Sequence, residues 1–119
     1  MYTILIIDDD LDYQYLLARL LELQGFKVYE TSNPLDAMPV IQKENIDLIA
    51  MELKNTYLNG SHLMDWLNEA NLNIPILIIT AINYKEAQVM AKELKSKYIL
   101  QKPSYKSKIM DKINKILKQ

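Results

Sequence analysis

Five polar side chains stand at the ends of apolar runs: Asp8 and Asp9 behind TILII, Glu52 behind LIAM, Thr80 closing PILIIT, and Lys102 behind YILQ. Such runs are too short for buried helices and read as strands, the central ones buried on both faces. In an open parallel sheet every strand presents its carboxyl end to one rim, so residues distant in sequence meet there. Asp8, Asp9 and Glu52 in a single crevice repel one another unless a cation joins them. Hard oxygen donors suit a magnesium ion, which keeps several waters and leaves positions for phosphate oxygens. Lys102 and Thr80, facing the same point, add a fixed positive charge and a hydroxyl donor for an anionic group. The set suits phosphoryl transfer, where a protein contributes mostly positioning and charge neutralisation. Taken alone, Glu52 reads equally well as an ordinary solvated acid at a strand end.

The elements that must position these residues follow from periodicity and punctuation. TILII (3–7) is a β-branched first strand stopped by Asp8-Asp9-Asp10. Leu16, Leu17, Leu20 and Leu21 form a helical stripe over 11–23, and Gly25 ends that helix. KVYET (27–31) is the second strand. Asn33 caps a second helix with Pro34 at its first position and Asp36 in its first turn. Pro39 lies too far inside to initiate it, which predicts a kink or a late, shortened helix before Glu44. The third strand covers 46–51, and Gly60-Ser61 opens a third helix carrying Leu63, Trp66 and Leu67. Pro75 starts the fourth strand. The fourth helix, 84–94, lines up Ala87, Met90, Ala91 and Leu94. A short fifth strand, 98–101, precedes a last helix over 106–118 with Ile109, Ile113, Ile116 and Leu117 inward and lysines outward.

Strict alternation of strands and helices specifies a parallel sheet covered by helices on both faces, because each right-handed crossover packs back onto the sheet. The 119 residues suffice for one domain, 1–119, with a core that needs no staples. With 14 basic and 15 acidic side chains the chain offers no electrostatic case for nucleic acid. It contains no cysteine, which excludes disulfides, a thiol nucleophile and thiolate metal sites. No apolar run approaches membrane-spanning length, and the amino terminus turns polar by Asp8, so a cytoplasmic protein is expected.

The pieces ILIIDDD, DLIAMEL with LNG, PILIIT with Ala81, and Gln101-Lys102-Pro103, each at the right strand end, resemble the receiver domain of two-component response regulators from end to end. The resemblance implies a flavodoxin-like (βα)5 doubly wound α/β fold, with strand order 2-1-3-4-5. It implies that Asp8 and Asp9 match the acidic pair handling magnesium, with Glu52 and the backbone carbonyl of Asn55 completing the cation position. It further implies that Thr80 matches the hydroxyl contacting the phosphoryl group, that Lys102 matches its lysine partner, and that the peptide before Pro103 is cis. A sensor histidine kinase or another signalling protein is the implied partner. The chain departs from the family pattern at switching positions. Glu52 stands where the family has its phosphoacceptor aspartate, Thr56 replaces the usual loop proline, and Ile99 takes the aromatic switch position. Tyr98 points to the opposite face of the strand. Lys95-Ser96 replace the small Gly-Ala pair.

The expected function is therefore an atypical receiver module, not an enzyme, working independently of ordinary phosphorylation or with Glu52 imitating the phosphorylated charge. The alternative is a conventional acceptor carrying an engineered or tolerated change from aspartate. A small magnesium-dependent phosphatase is the reading from another class, and no second base or nucleophile supports it. His62, the sole histidine, has no second metal ligand at helical spacing and reads as a surface residue, and Trp66 packs along a helix flank. Tyr84, Tyr98 and Tyr105 border the fourth helix, fifth strand and last helix, a face suited to a partner or a dimer.

Overall fold

Side chains alternate across each strand, so the β-branched runs divide the core into two layers. The computed structural model describes residues 1–53 and 57–118, with the backbone alone over 57–61. The elements are β1 (Thr3–Ile7), α1 (Leu11–Leu23), β2 (Lys27–Thr31), α2 (Pro34–Lys43), β3 (Leu48–Met51), α3 (Tyr57–Glu69), β4 (Ile76–Thr80), α4 (Tyr84–Glu93), β5 (Tyr98–Gln101) and α5 (Lys106–Leu117). All neighbouring strands are parallel, in the order β2-β1-β3-β4-β5, the expected flavodoxin-like arrangement.

Leu5, Ile7, Ile49, Met51, Ile76 and Ile78 pack against α2, α3 and α4. Ile4, Ile6, Leu48, Ala50, Leu77, Ile79 and Leu100 pack against α1 and α5. Each fully buried Leu or Ile contributes about 1.5–3 kcal/mol relative to exposure, so the two layers hold the rim above them rigidly. Trp66 is partly buried against the α2–α4 layer, and His62 is exposed, as expected from the sequence.

Local signals act as anticipated at several ends. Asn33 Oδ1 accepts from the Asp36 amide at 2.9 Å, and Gly25 sits at φ 93, a left-handed conformation that glycine adopts without strain. The peptide between Lys102 and Pro103 is cis.

Three expectations need correction. Of the kink or the late, shortened helix expected at Pro39, the second does not occur: α2 runs from Pro34 through Pro39 to Lys43, because the Asn33 cap and the burial of Ala37 and Ile41 hold it across the proline. α3 begins at Tyr57, so Gly60 and Ser61 lie within it; packing of Leu63 and Leu67 into the core outweighs their weak helix propensity. On α1, Leu16 is exposed, and the inward stripe is Gln14, Leu17, Ala18 and Leu21.

Candidate functional site

Strand register decides what meets at the carboxyl rim. Ile7 pairs with Met51, so Asp8 and Glu52 emerge side by side, and Thr80 pairs with Gln101, so Lys102 follows at the same edge. Backbone hydrogen bonds carry the ladder one residue further: the amides of Asp8, Glu52 and Lys102 donate to the carbonyls of Thr31, Ile7 and Thr80 at 3.0, 3.0 and 2.8 Å. Period-two alternation then turns Asp8, Glu52 and Lys102 toward the α1 and α5 side and Thr80 toward the other.

Asp8 and Glu52 are buried, at 3% and 4% exposure. Lys102 Nζ lies 2.9 Å from Asp8 Oδ2 and 3.1 Å from Glu52 Oε1, and so bridges the two carboxylates. Glu52 Oε2 accepts from the Leu53 amide at 2.6 Å, and Oε1 also accepts from the Ala81 amide at 3.4 Å. Asp8 Oδ1 accepts from the Asp10 amide at 2.9 Å. Burial pushes the Asp8 carboxyl above its ordinary pKa, against the opposing pull of Lys102. Burial by itself would lower the Lys102 ammonium, but the hydrogen bond and charge of Asp8, then the charge of Glu52, outweigh it and raise its pKa.

Of the residues expected at the site, Asp8, Glu52 and Lys102 are in direct contact. Thr80 is fully buried beside them, but its hydroxyl accepts from the Ile82 amide at 3.1 Å. Asp9 is exposed at the rim. Asn55 and Thr56 lie outside the described residues. Among the described residues no group of three acidic side chains lies close enough together to hold a metal by itself, and Asn55, the fourth expected ligand, lies outside those residues. The Asp8 and Glu52 carboxylates are hard oxygen donors of the kind magnesium takes, and the Lys102 ammonium lies between them. An ion at about 2.0–2.1 Å from these carboxylate oxygens would face the Lys102 ammonium that already contacts both.

Two residues of α1 belong to the site and went unnoticed in the sequence. The Gln14 side-chain amide donates to the carbonyls of Asp8 and Thr31 at 2.8 and 2.9 Å, fixing the strand ends beneath the crevice. Its signal was a polar residue on the inward stripe of a helix. The Tyr13 ring lies over Lys102, with Nζ 4.0 Å from its centroid, and nothing in the sequence pairs residues so far apart. A cavity of about 670 Å³ lies away from this chemistry. It sits at the amino ends of β4 and β5, beside Leu67, Leu72, Pro75 and Tyr98.

The sequence model of the response regulator receiver domain family matches residues 4–114. The chain belongs to that family. The receiver domain is 29% identical over 119 residues to the transcriptional regulatory protein CpxR homolog of Haemophilus influenzae, covering 100% of this chain and 52% of that protein. It is 27% identical over 114 residues to sporulation initiation phosphotransferase F of Bacillus subtilis, covering 96% of this chain and 92% of that one. It thus spans about half of the first relative and nearly all of the second. A two-component response regulator from Clostridium difficile superposes with a TM-score of 0.85 at 27% identity, over 100% of this chain and 98% of that one. No helix among the described residues is long and apolar enough to cross a membrane.

Proposed function

We propose that this chain, read as one receiver domain over 1–119, is a signalling module in which Glu52 occupies the phosphoacceptor position and ordinary aspartyl phosphorylation is bypassed. The observation that carries this reading is the Glu52 carboxylate itself, held by the Lys102 ammonium at 3.1 Å and by the amides of Leu53 and Ala81. Glutamate reaches about 1.5 Å further than aspartate, roughly one bond length. A misplacement of about 1 Å can cost on the order of a hundredfold in a positioned reaction. With both oxygens tied to fixed donors, Glu52 is poorly placed for in-line attack. Its negative charge instead lies against Lys102, near where a phosphoryl group's oxygens would be, although it lacks the phosphate's third oxygen and extra charge.

The module acts by protein contact and not as an enzyme. A sensor histidine kinase or another signalling protein is the partner, and the surface formed by α4, β5 and α5 receives either such a partner or a second copy. Thr80, with its hydroxyl on the far side of the strand end, supports the site by anchoring the Lys102 amide. Incubation with acetyl phosphate and magnesium, followed by intact-mass measurement, tests the proposal. The expected result is an unmodified chain; a stable fraction carrying one phosphoryl group on Glu52 overturns it.

A further inference from the structure

Lys102 is held from three directions. Two are the carboxylates of Asp8 and Glu52, and the third is the face of Tyr13, 4.0 Å from Nζ. An ammonium over an aromatic face is attracted by the ring quadrupole, most strongly where water is scarce. The ring is itself fixed: the Tyr13 amide donates to the Asp10 cap at 3.2 Å, and the next residue, Gln14, ties α1 to the carbonyl of Asp8. The buried Tyr13 hydroxyl has no hydrogen-bond partner among the described residues, an unfavourable placement. What Tyr13 offers the crevice is therefore its ring face and not its hydroxyl. Burial raises the phenol's pKa, so the ring stays neutral beside the two acids.

We propose that Tyr13 is a positioning residue that holds Lys102 between Asp8 and Glu52 as the crevice's built-in cation, so that a divalent ion enters only when the ammonium leaves the ring. The proposal rests on reading Glu52 as part of a crevice that balances its own charge. Magnesium and the ammonium compete for the same carboxylate oxygens, so anything that loosens Lys102 from Tyr13 strengthens magnesium binding by the same factor. A ring that served only as packing would affect stability and leave that competition untouched.

The test is calorimetric titration of magnesium chloride at constant ionic strength into the native chain, Tyr13→Phe, Tyr13→Leu, Lys102→Gln and the double variant Tyr13→Leu/Lys102→Gln. Tyr13→Phe keeps the π face and should stay within about twofold of native. Tyr13→Leu should raise the apparent magnesium affinity about 5- to 30-fold, the equivalent of a partly desolvated cation–π contact. Lys102→Gln should raise it at least as much, and adding Tyr13→Leu in that background should then change nothing. If Tyr13→Leu does not fold, stepwise fluorination of a phenylalanine at position 13 drains the π face with little change of shape, and affinity should climb with each fluorine. Three results overturn the proposal: unchanged or weaker binding in Tyr13→Leu, or no fluorination trend where that series is used; an equal effect of Tyr13→Leu with and without Lys102; or no measurable magnesium binding in Lys102→Gln. Labelling of Glu52 by a phosphodonor would refute the proposed function, whereas the order of magnesium affinities among these variants decides the role of Tyr13 separately.

Discussion

The crevice and the surface formed by α4, β5 and α5 share one strand yet are built in opposite ways. At the crevice, Asp8 and Glu52 are buried and tied to backbone amides and to the half-buried Lys102. On the other surface, Tyr84 and Tyr105 are 49% and 84% exposed. β5 joins the two, since Tyr98 packs on the α5 side, Ile99 on the α4 side, and Lys102 follows directly. The difference teaches that the crevice closes its charges on one another, whereas the proposed partner face keeps aromatic area open. Ile99, which the resemblance sets at the family's aromatic switch position, is an aliphatic side chain packed on the α4 side.

The sharpest way to break this contrast is to remove the bridging cation. Lys102→Met leaves two buried carboxylates facing each other, and unfolding in urea should show a loss of about 3–5 kcal/mol. A loss below about 1 kcal/mol would mean that the crevice is solvated like the outer face. Next comes Gln14→Leu, which strips the carbonyls of Asp8 and Thr31 of their side-chain donor. It should cost about 1–3 kcal/mol in the same assay, and a neutral result would show that the strand ends need no such anchor.

A smaller effect follows from the raised Lys102 pKa. The folded chain holds this proton more tightly than the unfolded chain, whose lysine titrates near 10.5. The stabilisation is therefore fully present below that value and is lost as pH rises through the higher folded value. Tyr13, also raised, adds a loss of the same sign above its ordinary value of 10.0. Urea midpoints measured between about pH 8 and pH 11 should fall over the upper part of that range, and Lys102→Met should flatten the fall. A flat native profile would contradict the ion pair. Smallest of all, Tyr105→Ser on the open face should change stability by less than about 0.5 kcal/mol while weakening self-association or partner capture. Unchanged assembly and capture would remove Tyr105 from the proposed face.

Most of the fold was legible because strands buried on both faces read as continuous apolar runs, and because Asn33-Pro34 and Gly25 mark helix ends by their own chemistry. The start of α3 was not, since Gly60 and Ser61 look like an opening signal while tertiary packing extends the helix back to Tyr57. Leu16 misled because one extra leucine beside a helical stripe does not reveal which way the stripe faces. The rim was legible in part. Sequence order puts Asp8, Glu52, Thr80 and Lys102 at one edge, but three carboxylates and a lysine are compatible with a magnesium ion or with an ammonium as the central cation. Only the three-dimensional register shows Lys102 taking that place, and only the packing of α1 brings Tyr13 onto it.

The most direct test of the central claim compares the initial rate of phosphoryl incorporation from acetyl phosphate in the native chain and in Glu52→Asp, followed by intact mass. Shortening the side chain withdraws the carboxylate by about 1.5 Å, and the account predicts that Glu52→Asp is labelled at least about a hundredfold faster than the native chain. Equal rates, with a stable acyl phosphate on Glu52, would contradict it.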